Sequence, residues 1–397
     1  MKIDQFGSLD NQNSDYEVGL SGLSTAQNID ITRSHRLTRR KGYIKKLDSP
    51  IVAMACAHDT VLFVANNTLM RLSEDLVSSD VIASDLGDSQ ILTACYALNK
   101  IYWSNNKQNG ILKNNADSSI TMGIPIPPAP VVIEQNTGLM PKGDYICAYT
   151  YITTEGEGVA SNITVIRDAE FGLKFSNLAS PLDRDDVTHI VIYLTQKNGE
   201  VLYRVTASPI SNNSYIYFNN TSELKFQLRT QYLANLPTGH FIQYFRGRLL
   251  IAKNNILFYS EPYNIGLYNP LANFVAFESR ITNLGIVRNG VFVTTSTETI
   301  FLSGHDPAKW DYVEVAKYGA IENTIGAIDG ELVGAEGISN NTQVLYWATK
   351  NGFMVGMDDG SIMNLTAKYF HFNSDSKKGT SVLRQENGQD HIITITN

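Results

Sequence analysis

Short apolar runs alternate along the chain with Gly- and Asn-rich breaks, and hardly a ten-residue window carries an apolar stripe at helical spacing. Val, Ile, Tyr, Phe and Thr fill those runs. Such residues suit a pleated, half-buried surface, so the pattern predicts strands almost throughout. Seven Asn-Asn pairs, among them Asn66-Asn67, Asn105-Asn106 and Asn254-Asn255, fall between apolar runs. Asn tolerates the left-handed backbone of tight hairpins, which makes these pairs turn signals.

One hairpin recurs. Thr60 to Ala65, Asn66-Asn67 and Leu69 to Ser73 make an apolar strand, a turn and a second strand. Arg248 to Lys253, Asn254-Asn255 and Ile256 to Ser260 repeat it, as do Val291 to Thr295 with Thr299 to Ser303; Lys100 to Asn105 and Gln343 to Ala348 repeat it more loosely. Anchors at Thr60, Lys100, Arg248, Gly290 and Gln343 stand 40, 148, 42 and 53 residues apart. Three of these four intervals match a four-stranded propeller blade of roughly 40 to 50 residues.

The long interval predicts an insertion within one blade-length. Pro125, Pro127, Pro128 and Pro130 lie within six residues and mark a stiff linker. Strand-like runs follow at 131–134, 144–153, 162–166, 173–176, 187–195, 200–207 and 214–218, with Asn198-Gly199 as a two-residue hairpin turn. Seven short strands within residues 126–222 predict an immunoglobulin- or fibronectin-like β-sandwich. Residues 1–125 and 223–397 then form one discontinuous β-propeller, and the fold class is all-β.

A further period beyond Gln343 reaches His391 to Thr396, which pairs across Asn387-Gly388 with Ser381 to Arg384. Near the start, Asn28 to Thr32 and Arg36 to Tyr43 supply two more strands. The expectation is a last blade built from N- and C-terminal strands, closing a ring of six blades and leaving no sheet edge open. Seven blades are the alternative, because Leu224, Phe226 and Leu228 alternate within residues 223–238 as an extra strand pair would.

With 397 residues, 43% of them apolar, and 20 Tyr, 16 Phe and 3 Trp, the chain has ample material for a core, which excludes wholesale disorder. Apolar runs stay far shorter than the roughly 20 residues of a membrane-spanning helix, and the first residues lack the apolar centre of a signal peptide. Cys56, Cys95 and Cys147 are odd in number and widely spaced, which predicts small reduced core residues rather than a disulfide framework. The net charge of -7 makes the chain as a whole a poor binder of nucleic acid.

Motifs for phosphate loops, zinc proteases and nucleophilic serines are absent. His35, His58, His189, His240, His305, His371 and His391 lack ligand spacing and read as ordinary surface or core residues. Asp358-Asp359-Gly360, between Met354-Val355 and Ile362-Met363, lacks the alternating oxygens of a calcium loop and reads as a hairpin turn. Trp310-Asp311 follows Gly304-His305 too closely for a WD repeat. No catalytic group, metal or cofactor is therefore expected.

One segment departs from the chain's acidity: Arg33, Arg36, Arg39, Arg40, Lys41, Lys45 and Lys46 are seven basic residues within 14 positions. Either they form a solvated outer strand whose charge discourages edge pairing, or they touch a partner subunit or nucleic acid.

Three stretches, taken in order, resemble the propeller tail-hub, or nozzle, proteins of short-tailed bacteriophages, related to packaged-DNA stabilisation proteins. They are Ala26 to Thr32 leading into Arg36 to Tyr43, Arg246 to Ala252 with Leu257 to Asn264, and Gly352 to Gly356 with Asp359 to Thr366. Their collinear order over most of the chain carries the likeness, and the inserted module fits it. The resemblance implies a structural virion protein without enzymatic activity, synthesised in the host cytoplasm and located in the tail. It implies a homo-oligomeric ring, usually a hexamer, below the portal and adaptor. Such a ring encloses the channel for DNA ejection, lets the genome pass without sequence-specific binding, and bears tail fibres or other tail parts. Larger nozzles carry extra distal domains, so a chain of this length fits an intermediate hub as well as a distal gate. Two readings stand beside this one: a carbohydrate- or protein-binding propeller, and a polysaccharide-degrading propeller enzyme, which needs converging carboxylates.

Overall fold

Tight turns with left-handed backbone set the strand boundaries. Asn66 and Asn67 hold φ of 51° and 64° between Thr60–Ala65 and Thr68–Leu72. Leu98 and Asn99, at 51° and 60°, do the same between Thr93–Ala97 and Lys100–Ser104. These two-residue turns match the twist of the strands they join. They belong to a computed structural model that describes residues 6–19, 21–32, 34–73, 79–87, 91–114, 116–181, 184–333, 342–372, 375–386 and 389–396. Helix among these is confined to one turn at Gly330–Val333 and two 3-10 turns, so the molecule is all-β.

Five four-stranded antiparallel sheets follow one another along the chain. The first contains Ile51–Ala57, Thr60–Ala65, Thr68–Leu72 and Ser79–Ala83. The second contains Thr93–Ala97, Lys100–Ser104, Asn109–Lys113 and Ile120–Thr121. The third is Phe241–Phe245, Arg248–Lys253, Ile256–Tyr259 and Phe274–Ala276, and the fourth is Ile281–Val287, Gly290–Thr295, Thr299–Ser303 and Asp311–Ala316. The fifth is Gly326–Asp329, Gln343–Thr349, Gly352–Gly356 and Ile362–Asn364. Each anchor of the sequence repeat begins the second strand of its sheet. This is the β-propeller pattern of successive meanders. The Asp358-Asp359-Gly360 turn joins the last two strands of the fifth sheet, with Gly360 at φ 87° and Asp359 accepting from Ser361.

Each sheet buries its faces against its neighbours in sequence. Leu62, Val64 and Leu69 pack on Ile101, Trp103 and Leu112 between the first two sheets. Tyr102 and Ile111 meet Ile242 and Leu249 between the second and third. Phe241 and Leu250 meet Leu284 and Val291 in the next layer, and Phe292 and Phe301 meet Leu345 and Trp347 after that. Buried polar groups tie the same seams. The Thr93 hydroxyl donates to His240 O and accepts from Ile242 N, while Asn283 accepts from Thr324 N and Ile325 N and donates to Ile321 O.

The second and third sheets are neighbours in space although residues 122–240 separate them in sequence. Between them, Val131–Thr153, Thr164–Ser176, Val187–Thr195, Leu202–Pro209, Tyr215–Tyr217 and the short Gly156–Glu157 form their own six-stranded sheet. Two pairs of the short strands expected here are each one long strand. At Gly138, with φ 142°, a Cβ would lie 1.8 Å from Phe171 O, and register shifts between Gln135 and Tyr145 bend the strand without ending it. Sequence breaks that read as turns are bulges. The two separate sheets of a sandwich are thus replaced, among the described residues, by one sheet bent over a core of Tyr145, Cys147, Tyr149, Phe175, Ile190 and Ile192.

The alternating Leu224, Phe226 and Leu228 do not start a further four-stranded sheet. Leu224 and Leu228 pack on the inserted unit, and Gln227 bridges to Tyr203, which extends that unit's edge. Ionic clamps fix the insertion to the second sheet. The buried Arg184 guanidinium grips Asp186 at 2.6 and 2.7 Å and donates to Thr121 O and Gly123 O. Lys100 and Lys113 both reach Glu155.

Candidate functional site

Two hairpins outside the five sheets meet one another. Ile29–Ile31 pairs with Leu37–Arg39, and Gly379–Glu386 pairs with Gln389–Thr396. The strands are those expected for a closing blade, but no backbone ladder joins the two hairpins among the described residues. A carboxylate joins them instead. Asp30 accepts from Arg40 Nε at 3.0 Å and from Arg384 Nη2 at 3.1 Å. Partial burial opposes ionisation of Asp30, but the hydrogen bonds and charges of the two arginines outweigh it and hold the carboxyl below its usual range.

The later hairpin is anchored to the fifth sheet. Ile392 packs on a cluster of Ile328, Val344, Tyr346 and Val355, and Gly379 N donates to Glu322 O. On its other face, where Arg384 reaches Asp30, no apolar cluster forms among the described residues. Val382 and Ile395 are exposed there, the latter by 68%, whereas Leu383, opposite Ile392 in the ladder, shares the face turned to the fifth sheet. Alternate residues of the first strand of the first sheet, Val52, Met54 and Cys56, also face solvent. Cys56 is therefore not the core residue its composition suggested, whereas Cys95 and Cys147 are, and burial pushes both thiols up to about 12.

The basic segment runs from the first of these hairpins to the first sheet. Arg36 precedes the Leu37–Arg39 strand, and the residues after Arg40 run on without regular structure towards the first sheet at Ile51. Arg36, Arg39, Lys41, Lys45 and Lys46 are exposed; Arg40 is committed to Asp30, and Lys45 pairs with Asp48 at 3.1 Å. Arg33 lies outside the described residues. The side chains of Arg36, Arg39 and Lys46 make no hydrogen bond or ion pair among the described residues. Among the described residues the cluster thus includes one structural arginine, Arg40, and three solvated cations, Arg36, Arg39 and Lys46.

Asp30 and Arg384 were invisible as site residues in the sequence. The only local signal is a carboxylate between two isoleucines, and its second partner lies more than 350 residues away. His240 also escaped notice. It is fully buried between three sheets, its Nε2 donates to Ile281 O at 2.9 Å, and its Nδ1 has no partner among the described residues. Burial lowers its pKa to about 4, so it is neutral.

No group of three or more His, Cys, Asp or Glu suited to a metal occurs among the described residues, and no helix there is long and apolar enough to cross a membrane. Trp310 packs on Phe245 and Tyr259 as a core aromatic and donates to Gly304 O.

No family model and no curated protein matches the chain. Among solved structures it is similar to BBS1N in complex with ARL6DN, at 10% identity and a TM-score of 0.33, covering 85% of each chain. It is similar to the Neurospora crassa Pan2 WD40 domain at 7% identity and a TM-score of 0.30, covering 83% of this chain and 82% of that one. BamB from Moraxella catarrhalis matches at 9% identity and a TM-score of 0.29, over 90% and 85% of the two chains. Likenesses this distant fix no function, and the fold rests on the sheets and layers described above.

Proposed function

We propose that the chain is a non-catalytic β-propeller assembly module, acting as a ring-forming hub in a bacteriophage tail. In this reading residues 1–125 and 223–397 are the six-bladed propeller, and the inserted sheet within residues 126–222 reaches sideways to a neighbouring copy or a fibre. The observation that carries assembly is exposed apolar surface on two elements, Val52 and Met54 of the first sheet and Val382 and Ile395 of the C-terminal hairpin, with solvated Arg36 and Arg39 on the hairpin that Asp30 ties to the latter. An apolar face rimmed by charge marks a surface that another chain covers.

A second copy offers the complementary charge. The outer strand of the fourth sheet, Asp311–Ala316, leaves one edge unpaired and exposes Asp311, Tyr312, Val313 and Glu314. Nearby, burial and the charges of Glu278 and Glu314 raise the Glu298 carboxyl above its usual value. In a ring of copies the basic surface of one meets the acidic strand of the next, a head-to-tail contact that closes when the rotation returns to its start. The net charge of -7 per copy, where it faces the conduit, favours DNA passage without adhesion.

Negative-stain imaging of the purified chain, alone and mixed with portal, adaptor and fibre proteins, tests this reading. Sixfold rings with a central hole that bind those parts are expected. Persistent monomers, turnover of polysaccharide, or a strongly basic lumen would each count against it.

A further inference from the structure

Cations far apart in the sequence converge where the connections into and out of the fourth and fifth sheets meet. A cavity of about 720 Å³ opens there, lined by Arg280, Lys317, Lys350 and Lys377, with Glu322 as the one carboxylate in its wall. Glu322 is buried and already engaged, by Arg280 Nη2 at 2.8 Å and by Lys378 Nζ at 3.9 Å. The ammonium groups of Lys317, Lys350 and Lys377 make no hydrogen bond or ion pair among the described residues.

All three lysines are exposed, and what joins them is the one concavity they line in a chain of net charge -7. Walls of low dielectric focus their field into the cavity, and hydroxyl and amide side chains between them add donors. The volume is that of a small-molecule site and far exceeds a single phosphate. Lysine binds phosphate as a point charge and arginine as a fork, so a row of phosphates meets the four cations together.

We propose that this cavity binds a ligand carrying several phosphate groups in series. Free polyphosphate and the backbone of a nucleic acid share that chemistry. The site is independent of ring assembly, because the chain contributes every cation in its wall.

Calorimetric titration of the full chain with tripolyphosphate tests the proposal, and a short single-stranded oligothymidylate added as competitor separates the two sources. Tripolyphosphate should bind, more weakly as salt rises, and about tenfold or more weakly in a Lys317→Gln/Lys350→Gln/Lys377→Gln variant. Affinity should be unchanged in Arg36→Gln/Arg39→Gln/Lys46→Gln. Competition by the oligonucleotide assigns the site to a nucleic-acid backbone, and no competition assigns it to free polyphosphate; both outcomes support the proposal. Absence of tripolyphosphate binding, or equal losses in the two triple variants, overturns it. Thermal melting confirms that each variant folds, and Lys317→Gln and Lys350→Gln singly serve if the triple change does not.

Discussion

The layer between the fourth and fifth sheets and the exposed surface of the first sheet and C-terminal hairpin use the same residue types to opposite effect. In the layer, Phe292, Phe301, Leu345 and Trp347 are buried, and Gly290–Thr295 is buried along its whole length. At the other place Val52, Met54 and Val382 stay in water, and the two hairpins are held to one another by Asp30 and its two arginines. Apolar strands do not close a propeller by themselves. A face is buried only when the adjacent sheet presents a matching one, so the last closure is the place where a partner chain has most to add.

The largest effect that sharpens the contrast comes from truncation. Phe292→Ala should cost about 3–5 kcal/mol by urea denaturation, as buried aromatics do. Met54→Ala and Val382→Ala should each cost less than about 1 kcal/mol in the dilute monomer, because their side chains are already exposed. Equal losses at the two places would erase the distinction.

Acid should weaken the packed layers through His240. Its folded pKa, about 4, lies below the ordinary 6.5, so the unfolded chain takes up the proton first as pH falls. Stability present above pH 6.5 is lost progressively down to about pH 4, by at most about 3 kcal/mol. Urea midpoints measured across that window should fall steeply for the native chain and flatten in His240→Gln.

A smaller effect belongs to the two hairpins. Asp30→Asn should loosen the closing hairpins by about 1 kcal/mol at neutral pH, read as faster amide exchange in 379–386 with the five layers unaffected. Its folded pKa is depressed, so the contribution is present above the usual carboxylate value of 3.8 and disappears as pH falls through the folded value; native and variant should converge in acid. The smallest effect on the monomer is charge reversal. Arg36→Glu/Arg39→Glu should shift stability by no more than about 0.5 kcal/mol, yet reduce the assembled mass in sedimentation velocity, with recovery when Glu314→Arg is introduced in the same chain.

Much of the architecture was legible because it repeats. Thr60, Lys100, Arg248, Gly290 and Gln343 each open the second strand of a sheet, and the interval of 148 residues held the insertion. Within the insertion the strands were legible but their continuity was not, because Gly138 and Gly143 allow bulges where the same residues elsewhere end strands. Cys56 was misplaced for a related reason. Alternation shows which residues share a face, and Val52, Met54 and Cys56 do, but not whether another sheet covers that face. Arg40 and Asp30 look alike in kind to their exposed neighbours, and only the fold brings Arg384 to them. Lys317, Lys350 and Lys377 carry no shared local pattern, so their common cavity appears only in three dimensions.

Hydrogen–deuterium exchange across the whole chain, compared between dilute monomer and the concentrated or tail-bound form, tests the contrast most directly. The account expects strands 51–57 and 379–396 to exchange fast in the monomer and to slow on assembly, while strands of the five layers such as 290–295 stay protected in both. Strands 51–57 and 379–396 as protected in the monomer as Gly290–Thr295, and unchanged by assembly, would mean that the propeller closes on itself and would contradict it.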